Sequence, residues 1–148
     1  MAPPKPDALT QATRLLASTD KTRAQLAAAL SRRGYPELEI AEALKRAVAL
    51  GYLDDSRVAQ RKARSDLQAG WAGEALQARL AAAGLEESTA RSAIKDAINE
   101  AGWSALLAAR TLLAARKLEG AKAARFLASR GFEEDVVERV IGRARSEQ

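Results

Sequence analysis

The sequence predicts an all-α protein whose three tandem three-helix repeats form an elongated, curved body. Alanine dominates a composition with 47% apolar but only 4% aromatic residues, and Ala, Leu, Arg, Lys and Glu are strong helix formers. Gly34, Gly84 and Gly131 lie 50 and 47 residues apart along the 148-residue chain, and the segments that flank them align. Self-similarity at a nearly fixed period is typical of repeat proteins.

The alignment extends to the apolar positions around each glycine. A leucine lies four residues before it, a large apolar residue one after it, and a further aliphatic residue ten after it. These positions are Leu30, Leu80 and Leu127, then Tyr35, Leu85 and Phe132, then Leu44, Ile94 and Ile141.

Each repeat is interpreted as two helices joined at the glycine, with a further helix before them. The second helix carries leucines at i and i+4, such as Leu26 and Leu30, and the glycine provides the left-handed residue that ends it. Acidic residues then favour the first turn of the third helix, where Pro36 occupies an N1-like position. The third helices are expected to bury Ile40, Leu44 and Val48, then Ile94 and Ile98, then Val136, Val137, Val140 and Ile141. The first helices are placed at about 7–18, 55–69 and 103–118.

These elements divide the chain into a lead-in and three repeats. Three prolines among the first six residues predict an extended, disordered lead-in over 1–7. The repeats are placed at 8–53, 54–101 and 102–148. Because a unit of this size buries little apolar surface alone, its stability is expected to come from its neighbours. This dependence favours an elongated body over a sphere.

The composition excludes many kinds of chemistry. The chain has no histidine and no cysteine, so it lacks an imidazole base, a thiolate nucleophile, a disulfide framework and the usual zinc ligands. A phosphate-binding GxxxxGK[ST] loop is also missing. We therefore expect no enzyme, no catalytic residue, no metal and no cofactor. Without a signal-like or membrane-spanning apolar segment, the sequence predicts a cytoplasmic protein with no membrane contact.

The uneven distribution of charge along the chain indicates a surface that binds a partner. The net charge of +5 is uneven, with +3, −1 and +3 in residues 1–53, 54–101 and 102–148. Within the acidic middle repeat, Arg57, Arg61 and Arg64 follow an i, i+4, i+7 spacing that puts them on one helix face beside Lys62. This cationic stripe is a candidate contact for an acidic partner or phosphate, and an ordinary solvated face is the alternative. Arg110 and Arg116 of the third repeat are further candidates.

Other conspicuous residues have structural interpretations. Asp54 and Asp55 are interpreted as a helix cap with first-turn charge, since a pair of carboxylates without other ligands is a weak metal signal. Trp71 and Trp103 are expected to anchor helix junctions, with base stacking as the alternative. Arg130 lies in a last turn, where the helix dipole explains it. A helix–turn–helix DNA-binding domain is disfavoured, because the helix after each corner glycine begins with acidic residues, which would meet DNA phosphates with like charge.

Three motifs resemble the RecX family of recombinase regulators. They are Gly51-Tyr-Leu-Asp-Asp55 with Ala59, then Gly70-Trp-Ala-Gly73 leading into Leu76 and Leu80, then Phe126-Leu-Ala-Ser-Arg-Gly-Phe132. The resemblance covers about residues 8–142 and includes the triple three-helix layout.

The resemblance implies a regulator without enzymatic activity. Members of this family bind the RecA recombinase, lie along the groove of its DNA filament, and restrain ATP hydrolysis, strand exchange and coprotease activity in recombinational repair and the SOS response. A monomer is expected, with a weaker contact to single- or double-stranded DNA left open. The alternatives are a basic DNA-binding protein without a recombinase partner and a helical scaffold for another protein.

Overall fold

The structure is a computed structural model that describes the backbone of residues 4–146 and the side chains of residues 4–142. Within these residues the chain forms nine α-helices and no strand. The helices are α1 (Ala8–Ser18), α2 (Arg23–Arg32), α3 (Glu37–Ala49), α4 (Asp55–Gln68), α5 (Gly73–Ala82), α6 (Glu87–Ala101), α7 (Ala105–Arg116), α8 (Gly120–Ser129) and α9 (Glu134–Ser146). The all-α prediction is confirmed, and the first helix of each repeat lies within two residues of its expected bounds.

Each group of three successive helices encloses its own hydrophobic core. The first core belongs to α1–α3, the second to α4–α6 and the third mainly to α7–α9. At their centres lie the predicted leucines of the second helices, all without solvent exposure: Leu26, Leu30, Leu76, Leu80 and Leu127. Every closely packed helix pair is formed inside one group. We call the groups units 1, 2 and 3, and the predicted repeat is confirmed.

Several details of the third helices differ from expectation. Four expected core residues are only partly buried, namely Ile94, Ile98, Val136 and Ile141. Val48 is 48% exposed rather than buried, because the chain turns back after α3 and Leu53 packs into the core instead, where it is 2% exposed. The N–H groups of Tyr52 and Leu53 both donate to the carbonyl of Ala47, which fixes this turn. Pro36 lies at the N-cap of α3, one residue before the N1 position expected for it.

The predicted left-handed glycines form the corner between the second and third helix of each unit. Gly34, Gly84 and Gly131 have φ of 86°, 90° and 94°. In unit 1 the N–H of Gly34 donates to Ser31 and that of Tyr35 donates to Leu30, the pair of bonds of a Schellman motif. The three positions are therefore equivalent in structure as well as in sequence.

Carboxylates cap α1 and α4, the first helices of units 1 and 2. Asp54 accepts hydrogen bonds from the N–H groups of Ser56 and Arg57 at 3.0 and 3.3 Å, which confirms its predicted role. Asp7 accepts from the N–H of Thr10 at 2.7 Å, and this bond lowers the pKa of the Asp7 carboxyl. A carboxyl whose pKa is lower in the folded chain than in the unfolded chain stabilises the fold at pH values above its ordinary pKa. This stabilisation is lost as the pH falls through the lowered pKa.

Polar contacts join unit 1 to unit 2. The buried hydroxyl of Thr22, the N-cap of α2, donates to the carbonyl of Ala83 at 2.5 Å. The N–H of Arg23 donates to Asp55 Oδ1 at 2.7 Å, and the side chains of Asp20 and Arg61 form an ion pair. Asp55 therefore holds the preceding unit in addition to carrying first-turn charge.

Backbone and aromatic contacts join unit 2 to unit 3. The N–H of Ala72, the N-cap of α5, donates to the carbonyl of Arg130 at 2.8 Å. The half-buried Trp103 contributes to the second and third cores, and its ring centroid lies 6.3 Å from that of Phe132. Trp103 thus anchors a helix junction, as predicted.

Division into small cores agrees with an elongated body. The chain exposes 9480 Å², whereas a compact protein of 15.8 kDa exposes about 7,300 Å². The unit boundaries 8–53, 54–101 and 102–148 stay predictions. Residues 1–3 of the predicted lead-in lie outside the described residues, while Lys5 and Pro6 contact the first corner.

Substitution at the third corner tests the junction. A Cβ on Gly131 would overlap the carbonyl oxygen of Ala72, whereas a Cβ on Gly51, also at positive φ, meets nothing within 4 Å. We expect Gly51→Ala to lower the free energy of unfolding by about 1 kcal/mol through backbone strain alone. Gly131→Ala should lower it by about 3 kcal/mol because the junction must also open. Urea unfolding followed by circular dichroism measures both, and equal losses would contradict close packing of units 2 and 3.

Candidate partner-binding surface

Arginine and aromatic side chains alternate across the junction between units 2 and 3. The Arg79 and Arg130 guanidinium carbons lie 4.4 and 4.3 Å from the ring centroid of Trp71. Arg130 also lies 5.1 Å from the ring centroid of Phe126, and Arg116 lies 4.6 Å from that ring. We call Arg116, Phe126, Arg130, Trp71 and Arg79 the arginine–aromatic ladder. Each contact of this kind contributes about 0.5–1 kcal/mol at exposed sites.

The junction backbone brings the ladder together. Trp71 lies in the turn between α4 and α5, where its N–H donates to the carbonyl of Asp66 at 3.0 Å. Because the next residue, Ala72, bonds the carbonyl of Arg130, the Arg130 side chain is held beside Trp71. Its guanidinium also donates to the carbonyl of Ala69 at 3.5 Å. The same contact that joins the units therefore positions the centre of the ladder.

A buried carboxylate anchors one end of the ladder. The Asp66 side chain is 9% exposed and accepts from Arg79 through two bonds of 3.2 and 3.4 Å. The Lys62 ammonium lies 3.4 Å from the same carboxylate. Such a two-pronged pair fixes the plane of a guanidinium, so Arg79 is held flat against Trp71.

The other end of the ladder carries uncompensated charge. No described carboxylate lies within 4 Å of the guanidinium nitrogens of Arg116 or Arg130. A guanidinium stacked on an aromatic face keeps its edge N–H groups available to a carboxylate or a phosphate. The ladder is thus a cationic surface whose side chains are ordered before a partner arrives, which reduces the entropy lost on binding.

The predicted stripe on α4 is largely neutralised by neighbouring carboxylates. Arg61 pairs with Asp20, and Arg64 Nε lies 3.2 Å from Glu100 Oε2. Arg57 donates to the carbonyl of Gly51 at 3.5 Å. An arginine that already faces a carboxylate attracts an external anion less strongly. As a partner contact, the stripe stays a prediction.

The remaining predicted residues divide between the ladder and its surroundings. Arg116 belongs to the ladder, and Lys62 reaches its Asp66 anchor. Arg110, on α7, is half-buried and makes none of the ladder contacts. Two of the six predicted residues therefore meet at the surface that the structure assembles.

Sequence reasoning missed Arg79, Asp66 and the contact of Arg130 with the Trp71 ring. Trp71 does lie at a junction, as expected, but between two arginines rather than in a closed core. The available signal was the alignment of Gly84 with Gly131, which makes Arg130 the residue that precedes a corner glycine. The alignment places Arg130 at a corner, and the register between units 2 and 3 then brings it to Trp71.

Elsewhere the described surface offers little for chemistry. An open groove of about 300 Å³ between α5 and α6 has Ile94 and Ile98 on its floor, with Arg91 and Lys95 among its lining residues. Among the described residues no three Asp or Glu side chains cluster closely enough to hold a metal ion. None of the described helices combines the length and apolarity that a membrane crossing requires.

Comparison with known proteins gives one family throughout. The family model "RecX, first three-helix domain" matches residues 8–46. A protein named regulatory protein RecX, from Chromohalobacter salexigens, is 34% identical over 97% of this chain and 93% of its own length. Its counterpart from Mycobacterium ulcerans is 36% identical over 86% and 79%. The crystal structure of RecX from Lactobacillus salivarius, 17% identical, aligns over 94% of this chain and 95% of its own with a TM-score of 0.71.

Removal of the Asp66 carboxylate tests how the ladder is anchored. Asp66→Ala leaves Arg79 and Lys62 without their shared partner, so we expect the free energy of unfolding to fall by about 1–2 kcal/mol, discounted because Arg79 is 40% exposed. Glu100→Ala, which breaks the exposed pair with Arg64, should cost less than about 0.5 kcal/mol. Trp71 fluorescence should change in the first variant alone. Identical losses in chemical denaturation would show that Asp66 anchors nothing.

Proposed function

Because the chain belongs to the RecX family, we propose that it is a non-enzymatic regulator of the RecA recombinase. It binds along the groove of the RecA–DNA filament and restrains ATP hydrolysis, strand exchange and coprotease activity. This role places it in recombinational repair and the SOS response, in the cytoplasm. The observation that supports the proposal most is the arginine–aromatic ladder, a preformed cationic surface at the junction of units 2 and 3.

The arrangement of the units suits a helical polymer as partner. Three small cores in series place contacts at separate points along the molecule, so one copy can touch more than one filament subunit. Each contact after the first forms at high effective concentration, and weak contacts then add up to firm binding. A single dominant site is unnecessary under this proposal.

The ladder is a better candidate for the electrostatic contact than the stripe on α4. Arg116 and Arg130 have no described carboxylate within 4 Å, whereas Arg61 and Arg64 each have one. Restricted side chains lose less entropy when they bind, and the Trp71 and Phe126 faces restrict the ladder arginines. Arg116 is the exposed end of the ladder and hence the residue to substitute first.

DNA-dependent ATP hydrolysis by the cognate recombinase tests the proposal. We expect excess wild-type protein to lower the rate, and Arg116→Ala to raise the concentration required for half-inhibition about five-fold, as loss of a contact of about 1 kcal/mol requires. The matched control is Arg14→Ala, an exposed arginine of α1 outside the ladder and the stripe. It should inhibit like the wild type.

Two results would contradict the proposal at different levels. Undiminished hydrolysis and unchanged filament length with excess wild-type protein would exclude recombinase regulation itself. Inhibition that Arg116→Ala and Arg14→Ala retain equally would place the contact away from the ladder. Circular dichroism of both variants verifies that helix content is unchanged.

The ladder also favours a second candidate function, direct binding of DNA without a recombinase partner. The guanidinium groups of the ladder suit contact with DNA phosphates, because their edge N–H groups stay available while their faces cover the aromatic rings. If the isolated chain binds single-stranded DNA through Arg116 and Arg130, the plot of log binding constant against log salt should have a slope of about −1.4. Arg116→Ala should make that slope shallower by about 0.7, while Arg14→Ala leaves it unchanged. Absence of binding at low salt would exclude this candidate.

A further inference from the structure

One backbone carbonyl occupies the same place in all three corners. It belongs to the residue before each corner glycine, namely Arg33, Ala83 and Arg130. In units 2 and 3 this carbonyl accepts a hydrogen bond from the N-cap residue of the preceding unit's second helix. Thr22 Oγ1 donates to Ala83 at 2.5 Å, and the N–H of Ala72 donates to Arg130 at 2.8 Å. The corner is thus the surface by which one unit attaches to the unit before it.

In unit 1 the same surface is covered by residues that precede α1. Lys5 Nζ donates to the carbonyl of Arg33 at 2.5 Å and lies 4.0 Å from the ring centroid of Tyr35. The Tyr35 hydroxyl donates to the carbonyl of Pro6 at 2.5 Å. We call Lys5 and Pro6 the strap. The strap supplies the hydrogen-bond donor for the first corner, whereas the preceding unit supplies the donor for the second and third corners.

The complementary surface is open at the other end of the series. Gly120 of unit 3 aligns with Gly73 of unit 2, and a Cβ at Gly73 would overlap the carbonyl oxygen of Gly131 in the following corner. At Gly120 no described atom lies within 4 Å of the equivalent point. The neighbouring N-cap residue Glu119 makes no side-chain capping bond. Within the part of the chain that the structure describes, the start of α8 meets no following corner, and the first corner meets only the strap.

We propose that the strap blocks head-to-tail association, in which the first corner of one copy docks on the start of α8 of a second copy. A second copy is the expected occupant, because the same two kinds of surface already meet at both internal junctions of the chain. Charge agrees with this pairing, because the Glu119 carboxylate would approach the cations Arg32 and Arg33 at the first corner. A contact between two different surfaces of one molecule builds open chains or rings rather than isologous dimers.

Sedimentation of the protein alone, over a wide range of concentration, tests the proposal. We expect the wild type to stay monomeric. Lys5→Met combined with Tyr35→Phe removes both strap hydrogen bonds, and its weight-average mass should rise with concentration beyond that of a dimer. The matched control is Lys45→Met combined with Tyr52→Phe, at two exposed positions outside the corner. It should stay monomeric.

Three further variants decide the outcome. A chain without residues 1–6 has no strap, retains the Asp7 cap of α1, and should also associate. Ala121→Arg, at the position that aligns with the junction residue Ala24, should return both associating variants to monomers. Ala49→Arg, an exposed substitution on α3, should not. Monomeric behaviour of the two strap variants, or association that Ala121→Arg leaves intact, would overturn the proposal. Because no recombinase is present, neither result bears on the proposed regulatory function.

Discussion

The hydrogen bond to the carbonyl before each corner glycine is the contact on which the rest of this structure depends. Each unit has only a small core, made mostly of leucine and alanine, so no unit is expected to be stable in isolation. The corner turns each unit so that its own backbone meets the N-cap of the unit before it. Without a Cβ at Gly84 and Gly131, the corner approaches the preceding unit closely enough for this bond to form.

The two internal junctions use the same corner carbonyl but differ in chemistry. Units 1 and 2 meet through a buried hydroxyl, a carboxylate and an exposed ion pair, and salt screens the ion pair. Units 2 and 3 add Trp103 and Phe132, whose burial does not depend on ionic strength. Unit 1 is therefore the part of the molecule whose position responds most to solvent conditions.

Periodicity predicted the helices, the corners and the leucine cores, because these features follow from local spacing and the left-handed glycine. It did not predict that Val48 would be exposed, since the following turn, and not helix periodicity, brings Leu53 into the core. The ladder lay further out of reach. Its members come from both sides of a junction, and only the register between units shows that Arg130 contacts Trp71. Charge counting selected the α4 arginines because it cannot show which carboxylates face them.

Arg130 links the architecture to the surface that we assign to the partner. Its carbonyl accepts the bond that joins units 2 and 3, while its guanidinium lies between the rings of Trp71 and Phe126. A partner anion that contacts the ladder would also restrict the Arg130 backbone and so stabilise the junction. Conversely, a loosened junction would separate the pair of Trp71 and Arg79 from Arg116, Phe126 and Arg130. Binding and rigidity of units 2 and 3 should therefore be thermodynamically coupled, each strengthening the other by the same factor.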